Sequence, residues 1–305
     1  MEKSEIYLDS FIFYNWFGAF ADHCVDASAD FYQSVNTSSL HNKTLTPNKV
    51  EKGDVVFVKT DYVYDGTFQE DYLPHISSPF ILVTGTSSYQ VTNGCSIDPI
   101  LQHPFLIKWF CTNAPVHKKI VPLPIGFQEK ERAGGNQEVI SQLHAHKTPF
   151  AHKKDRILLP HHIIHRPHSP EGKRAGESRV KAIEQLRSLP FVDYQSEKLP
   201  WKDYMALLDK YKFAMCLEGT GPDIHRNYEA LALHCVPINV KTIIENLFRF
   251  HGLPGLFFSS WDHLNEDKFR NYIDFNYNFG PVDVFLKVKH HIGLIKKLQD
   301  ENRGL

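Results

Sequence analysis

The chain has no dominant charge, no long apolar run and no cysteine framework. Its 34 Lys and Arg residues nearly balance 35 Asp and Glu residues, which leaves a formal net charge of −1. We therefore do not expect bulk nucleic acid as a partner, because the domains that bind it are clearly basic. The five cysteines are odd in number and include no Cys-x-x-Cys pair, so neither a disulfide framework nor a cysteine zinc site is indicated. A reducing cytoplasm is the simplest setting.

An aromatic stretch from Phe11 to Phe20 superficially resembles a signal or anchor core. Acidic residues precede it, Asn15 interrupts it and Asp22 closes it, so it falls short of the ~20 apolar residues that span a bilayer. We expect no transmembrane segment, and an aromatic face packed on the first domain.

Short apolar runs alternate with helical patterns, which is typical of parallel α/β proteins. We expect two Rossmann-like doubly wound domains facing across a cleft, at residues 1–148 and 149–280, followed by a helical segment at 281–305. Predicted strands cover residues 55–59, 80–84, 119–124, 156–160, 191–194, 213–217, 236–240 and 256–259. Predicted helices cover residues 104–113, 177–188, 201–210, 223–234, 242–250 and 282–299.

The most informative stretch, residues 213–239, reads as strand, glycine loop, helix and strand. Its loop, Gly219-Thr220-Gly221, lets the backbone turn sharply and approach a ligand. Asp223 is the predicted N-cap of the helix. The start of that helix would direct backbone N–H groups and the positive end of its dipole at an anion.

Three ionisable side chains lie near the start of this predicted helix. His225 and Arg226 fall in the first turn, and Glu229 follows Arg226 by three residues on a neighbouring part of the surface. A cation, amide donors and a carboxylate acceptor suit a nucleotide diphosphate with its ribose. The alternative is that Arg226 and Glu229 are an ordinary surface pair on a helix and that the glycines only form a turn. The stretch lacks the Gly-x-Gly-x-x-Gly of a dinucleotide fold and the Gly-Lys-Ser/Thr of a P-loop.

The same stretch resembles the exostosin-like glycosyltransferases in the order and spacing of its residues. The matching positions are Phe213, Gly219, Gly221, Asp223, Arg226, Glu229-Ala230-Leu231 and Cys235-Val236-Pro237-Ile238. A weaker resemblance to related short glycosyltransferases covers residues 80–85, 107–113 and 122–126. The sequence departs from the family pattern at Glu218, Thr220 and His234. Glycine is the usual residue at the last of these positions.

The resemblance implies the two-domain GT-B fold, with the segment 281–305 packing back on the first domain. It also implies an inverting glycosyltransferase that moves a sugar from a nucleoside diphosphate, in the first place UDP, to a hydroxyl of a glycan acceptor. Many members of the family carry a membrane anchor, but the N-terminal stretch here falls short of one, so we expect a soluble enzyme. No two aspartates are separated by a single residue, so the Asp-x-Asp metal clamp of the other major glycosyltransferase fold is missing. We therefore expect no metal and no cofactor, with helix amides and cations meeting the charge of the leaving group.

A histidine-rich loop follows the predicted strand at 156–160. Its histidines are His161, His162, His165 and His168. They invite a metal interpretation, but three prolines break the helix that would stack their rings. A basic loop facing the nucleotide is the better interpretation, and a solvated loop that contributes only solubility is its alternative. The possible second cations are Arg166, Lys173, Arg174 and Arg179. The resemblance implies an arginine after such a strand and favours Arg174.

Inversion needs a base that takes the proton from the acceptor hydroxyl. Asp61 follows the predicted strand at 55–59 and is the first candidate, while a turn-forming aspartate is the alternative. The reserves are Asp65, Glu70 and Asp71. Ser87 and Ser88 follow the next predicted strand and are expected near the acceptor.

Donor identity and catalytic competence stay open in this interpretation. Tyr194, at the end of a predicted strand, is expected to approach the nucleotide base, and Glu229 to accept hydrogen bonds from the ribose. One alternative function is a catalytically silent glycan- or nucleotide-binding scaffold. The other is a different nucleotide-sugar enzyme on the same fold, such as an epimerase or a retaining glycosyltransferase.

Overall fold

The chain forms two compact units, each built on one parallel β-sheet. The computed structural model describes residues 8–13, 17–25, 44–130, 132–163 and 170–304. The first unit comprises residues 1–125, 129–131 and 287–305, and the second comprises residues 126–128 and 132–286. In the described part of the chain each sheet has five strands, so the expected α/β class is confirmed.

Strands and helices are labelled in chain order. The strands are β1 (His23–Val25), β2 (Asp54–Lys59), β3 (Phe80–Gly85), β4 (Leu106–Thr112), β5 (Ile120–Leu123), β6 (Lys154–Leu159), β7 (Val192–Tyr194), β8 (Tyr211–Met215), β9 (Val236–Val240) and β10 (Leu256–Phe258). The helices are α1 (Thr60–Tyr64), α2 (Asp98–Gln102), α3 (Gln137–Ala145), α4 (Pro170–Leu186), α5 (Trp201–Leu208), α6 (His225–Ala232), α7 (Ile244–His251), α8 (Glu266–Ile273), α9 (Gly280–Phe285) and α10 (Val288–Arg303).

Residues 106–112 form a strand, β4, so the prediction of a helix at 104–113 is wrong. Trp109, Phe110 and Cys111 are all buried, so consecutive side chains of β4 find apolar surroundings on both faces of the sheet. A strand that is covered on both faces has no polar alternation, and its apolar run cannot be told from a buried helix by periodicity.

The first sheet has the strand order β1-β2-β3-β4-β5. This order follows the sequence and contains no reversal, so it differs from the doubly wound order expected for both domains. The indole N–H of Trp109 on β4 donates to the hydroxyl of Thr84 on β3 at 2.9 Å, inside the main apolar cluster of the unit. This bond satisfies a buried donor that would otherwise cost free energy.

Helix α10 belongs to the first unit. Arg303 pairs with Asp54 and Asp22, and Gln299 Nε2 donates to Asp22 Oδ2 at 2.7 Å. The predicted continuous helix at 282–299 is wrong, because Lys287 is extended and forms an antiparallel bridge with the backbone at Phe11. The helix is therefore interrupted between α9, which belongs to the second unit, and α10.

The second sheet has the strand order β10-β9-β8-β6-β7. Its order reverses between β6 and β8, as in a doubly wound sheet. The predicted strands of both units lie within two residues of the observed ends, because their apolar runs are bounded by turn residues.

The division between the units lies earlier than the expected boundary at residue 148. Helix α3 belongs to the second unit. Its His144 donates from Nδ1 to the carbonyl oxygen of Ala232, at the end of α6, over 2.7 Å. Leu143 packs against the apolar cluster that includes Leu158 and Leu208. These contacts fix α3 on the second sheet.

The aromatic segment near the N-terminus is described only in part, and residues 14–16 lie outside the described residues. Phe11, Ile12 and Phe13 are buried. Lys287 Nζ lies 3.6 Å from the ring centre of Phe11. Within the described ranges, no helix has both the length and the apolar character that crossing a membrane requires.

Replacement of Trp109 by alanine tests the core of the first unit. We expect Trp109→Ala to lower the free energy of unfolding by ~3–5 kcal/mol, because it leaves a cavity and an unpaired Thr84 hydroxyl. Denaturant titration measures the change. Val116, whose side chain is 78% exposed, is the matched control, and Val116→Ala should change stability by less than ~0.5 kcal/mol. Equal effects of the two variants would contradict this packing.

Candidate functional site

The candidate site of the second unit lies where the strand order reverses. Open α/β sheets bind ligands beyond the carboxyl ends of the strands at such a point. Here the two strands are β6 and β8, which are direct neighbours in the sheet. Residues 160–163 follow β6, and residues 216–221 follow β8. The geometry of these two loops therefore decides what the site can hold.

Arg179 of α4 joins the two loops. Its buried guanidinium donates to the carbonyl oxygens of Ile163 (2.8 Å), Glu218 (2.9 Å) and Leu217 (3.2 Å). A buried charge needs several hydrogen-bond partners, and the flat guanidinium fork matches the three carbonyls. Arg179, a predicted alternative cation for the phosphate, thus holds the floor of the site in place.

Gly219 packs closely against Arg179 in this arrangement. A Cβ atom at position 219 would come within 3.3 Å of Arg179 Nη2 and 3.4 Å of Ile224 Cγ2. Neither Gly219 nor Gly221 is among the glycines with positive φ. The glycine therefore permits the close approach of the arginine, and Thr220 lies partly exposed between the two glycines.

His162 is a buried link between the ends of β6 and β8. Its Nδ1–H donates to the carbonyl oxygen of Pro160 at 2.6 Å, and its Nε2 accepts from the backbone N–H of Leu217 at 3.4 Å. Burial, together with the positive charges of Arg226 and Arg179, holds the pKa of His162 well below its ordinary value. The imidazole is therefore neutral and uses both nitrogens for structure.

Arg226 lies in the first turn of α6 and faces the loop after β6. Its Nε donates to Tyr204 Oη and its Nη2 to the carbonyl oxygen of His161, both at 3.2 Å. The guanidinium also lies over the Tyr204 ring, 5.2 Å from its centre. Burial opposes its charge, but Tyr204 and Glu229 nearby raise the pKa of Arg226 above its ordinary value. The result is a fixed, partly exposed cation.

Glu229 is buried on the same helix, one turn after Arg226. Its Oε1 accepts from the indole N–H of Trp201 at 2.9 Å. Trp201 and Tyr204 both belong to α5, so this helix braces the carboxylate and the guanidinium together. The two predicted donor-site residues are thus each held by side-chain or backbone partners instead of lying unsupported on the helix surface.

Asp223 is not the N-cap of α6, and this prediction is wrong. The cap position is Ile224, and no side chain caps the helix there. The carboxylate of Asp223 instead accepts from the hydroxyl of Tyr228 and from Asn227 Nδ2. Asn227 in turn accepts from Asn239 Nδ2 at 3.1 Å. This buried network ties α6 to β9. Because no side chain caps the helix, its first backbone N–H groups can donate to another acceptor.

His225 connects the start of α6 to the segment 126–128. Its Nδ1–H donates to the carbonyl oxygen of Gly126 at 2.8 Å. Its position beside Arg226 agrees with the predicted first turn.

Two other residues that are predicted to bind the nucleotide sugar are exposed. Arg174 is exposed on α4, and the Tyr194 side chain at the end of β7 is 37% exposed. Desolvation raises the pKa of Glu218, on the loop after β8, although Arg174 and Arg179 act to lower it. Glu218 lines a pocket of about 20 Å³ with Arg179 and Asn239, a space for a single water molecule.

The histidine-rich loop is described only in part. Arg166, His165 and His168 lie outside the described residues. His161 Nδ1 donates to the carbonyl oxygen of Ser196 at 2.8 Å, so this ring and that of His162 are both held by backbone groups. In the described part of the chain, no group of three or more His, Cys, Asp or Glu side chains could hold a metal ion.

The predicted base candidates lie in the first unit. Asp61 is in the first turn of α1, directly after β2, and its Oδ1 is 3.6 Å from Lys59 Nζ. Its Oδ2 is a buried atom without a hydrogen-bond partner among the described residues. Asp65 Oδ1 accepts from the backbone N–H of Thr67 at 2.9 Å, which is a turn interaction. Asp71 and Glu70 are exposed.

Comparison with known proteins gives no family: no protein-family model matches the chain, and no curated protein matches it.

The buried neutral His162 makes stability depend on pH. Since its folded pKa is lowered, the folded state binds fewer protons than the unfolded state below pH ~6.5, and stability is lost as the pH falls. We expect the free energy of unfolding to decrease by up to ~1.4 kcal/mol per pH unit from this residue. His162→Gln should flatten the profile relative to wild type, and His146→Gln, an exposed control, should not. Parallel profiles for all three proteins would contradict the assignment.

Proposed function

We propose that this chain is a metal-independent, inverting glycosyltransferase of the exostosin-like type, with the GT-B fold. Its donor is a nucleoside diphosphate sugar, most simply a UDP-sugar, and its acceptor is a hydroxyl of a glycan. The observation that supports this proposal most directly is the position of Arg226 in the first turn of α6, beside the reversal of the second sheet. Its partly exposed guanidinium is held in place by Tyr204 and the His161 carbonyl. Order and spacing of residues 213–239 support the family.

The proposed role of Arg226 is to meet the charge of the departing nucleoside diphosphate. Its guanidinium is held by Tyr204 and by the His161 carbonyl, so little reorganisation is needed when charge develops on the leaving group. The start of α6 adds backbone N–H groups and the positive end of its dipole. Arg174 adds a second cation from the exposed face of α4.

Glu229 is proposed to bind the ribose. The indole of Trp201 occupies Oε1, which leaves Oε2 as an acceptor for a ribose hydroxyl. Tyr194 is proposed beside the nucleotide base.

Transfer requires a base on the acceptor side, and Asp61 is the proposed one. The acceptor oxygen attacks the anomeric carbon, the bond from that carbon to the phosphate oxygen breaks, and the nucleoside diphosphate leaves with the bonding electrons. The acceptor proton passes to Asp61. The Asp61 side chain is 39% exposed, so an acceptor can reach its carboxylate.

Nucleotide binding tests the donor half. We expect calorimetry with a panel of nucleoside diphosphates to detect binding, with UDP the tightest, and Arg226→Ala to weaken it by roughly tenfold or more, because a charge-assisted contact is lost. Arg249→Ala is the control, since this arginine is exposed on α7 and pairs with Glu245. If no nucleotide binds, or if both variants bind as wild type does, the donor assignment is wrong.

Turnover tests the base. Asp61→Asn should slow UDP release from UDP-sugars in the presence of glycan acceptors by ~10²–10⁴-fold, with UDP affinity unchanged. Asp98→Asn, an exposed position on α2, should retain activity. Loss on Asp65→Asn or Asp71→Asn instead would move the base to a reserve residue. Absence of turnover in wild type, despite UDP binding, would favour the scaffold function.

A further inference from the structure

We propose that His144, His234 and Asp283 form a latch that holds helix α9 on the end of α6 and opens on acidification. All three residues belong to the second unit. The latch itself is argued from their contacts alone. In one respect the inference rests on the proposed function, since it makes the latch a pH control of the nucleotide site at the start of α6.

One carboxylate holds two imidazole rings in this cluster. Asp283 Oδ1 on α9 lies 3.3 Å from His144 Nε2 on α3 and 3.2 Å from His234 Nε2, two residues after α6. The two histidine side chains are 16% and 21% exposed, and that of Asp283 is 53% exposed. The rings are therefore largely withdrawn from water, while the carboxylate stays in contact with solvent.

His144 makes its contacts as an imidazolium. Its Nδ1 lies 2.7 Å from the carbonyl oxygen of Ala232 at the end of α6, and its Nε2 faces the Asp283 carboxylate. Both partners only accept hydrogen bonds, so the ring needs a proton on each nitrogen to satisfy both. A positive charge is also favourable at the carboxyl end of a helix. This first proton balances the charge of Asp283.

His234 is the group that takes up a second proton. Its Nε2–H donates to Asp283 Oδ1. Burial is the main cause that lowers the pKa of His234, and the charges of Lys147 and His144 lower it further, while Asp283 acts to raise it. Lys147 Nζ is held at the cluster by the carbonyl oxygen of His144, at 2.9 Å. One carboxylate cannot balance two imidazolium rings and this ammonium, so the latched form resists the second proton.

The backbone indicates that the His234 ring is held by its contacts. His234 has φ 50°, a region that glycine adopts without cost and that most other residues avoid. The ring stacks on Phe279, the residue before α9, with centres 4.6 Å apart and planes 8° apart. The side chain thus joins the end of α6 to α9 at two points, Asp283 and Phe279.

A chain of contacts leads from α9 to the start of α6. Phe285 of α9 and Tyr228 of α6 are buried, and their rings stack with centres 6.2 Å apart. The Tyr228 hydroxyl donates to Asp223, just before α6. Loosening of α9 therefore removes support from the segment whose backbone N–H groups the proposed function assigns to the phosphate.

The sign of the pH dependence follows from the lowered pKa of His234. Below pH ~6.5 the detached form, with an ordinary histidine pKa, binds more protons than the latched form, so attachment of α9 is lost as the pH falls. His144 is protonated in both forms well below this pH, and its proton then favours neither. His234 decides the slope, which is at most about tenfold per pH unit for one proton.

Hydrogen exchange of the α9 amides in the full chain, between about pH 6.5 and about pH 5, tests the latch. With rates corrected for intrinsic exchange, wild type should lose protection several-fold on acidification. His234→Gln keeps a donor for Asp283 but takes up no proton, so its protection should stay constant. His251→Gln is the control, because His251 also lies against α9, 4.9 Å from the Phe285 ring. It should behave as wild type does.

Constant protection in wild type, or an equal loss in wild type and His234→Gln, overturns the latch. If the glutamine variant does not fold, His234→Gly replaces it, since glycine suits the positive φ and also removes the titrating ring.

UDP binding separates the latch from the proposed function. UDP affinity should fall on acidification by a larger factor in wild type than in His234→Gln, while protonation of the UDP phosphate affects both alike. An equal factor in the two proteins overturns the control of the nucleotide site. If UDP binds at neither pH, the proposed function is wrong, and the expected exchange pattern still supports the latch.

Discussion

The guanidinium of Arg179 is buried between the loops that follow β6 and β8, and the geometry of the second unit's site depends on how its charge is met. Three backbone carbonyls accept its hydrogen bonds. Their oxygens point to the guanidinium, which ties both loops to α4, and a Cβ at position 219 would crowd Arg179 Nη2 at 3.3 Å. His162 adds a neutral link between the same strands. With the floor of the site fixed in this way, Arg226 is the cation that we propose faces a ligand.

The two sheets differ in the chemistry of their carboxyl edges. The second sheet reverses its strand order and carries two arginines at the reversal. The first sheet runs in sequence order and ends in hydroxyls, a carboxylate and tyrosines. The arginines of the second edge suit an anion, which agrees with the proposed nucleotide donor.

Local patterns in the sequence predict much of the fold but only part of the site. Strands such as β8 and β9 are apolar runs bounded by turn residues, and their prediction is confirmed. Strand β4 is missed because burial on both faces removes the polar alternation. Asp223 has the sequence position of an N-cap, but its carboxylate accepts a hydrogen bond from the Tyr228 hydroxyl instead. The role of Tyr204 depends on how α5 packs against α6, a tertiary contact without a local sequence signal.

The start of α6 is the proposed binding site for the diphosphate of a nucleotide, and a crystal structure of the chain with UDP would test this proposal. We expect phosphate oxygens within ~2.7–3.2 Å of the Arg226 guanidinium and of the first backbone N–H groups of α6. UDP bound elsewhere, with Arg226 still directed only at Tyr204 and the His161 carbonyl, would contradict it.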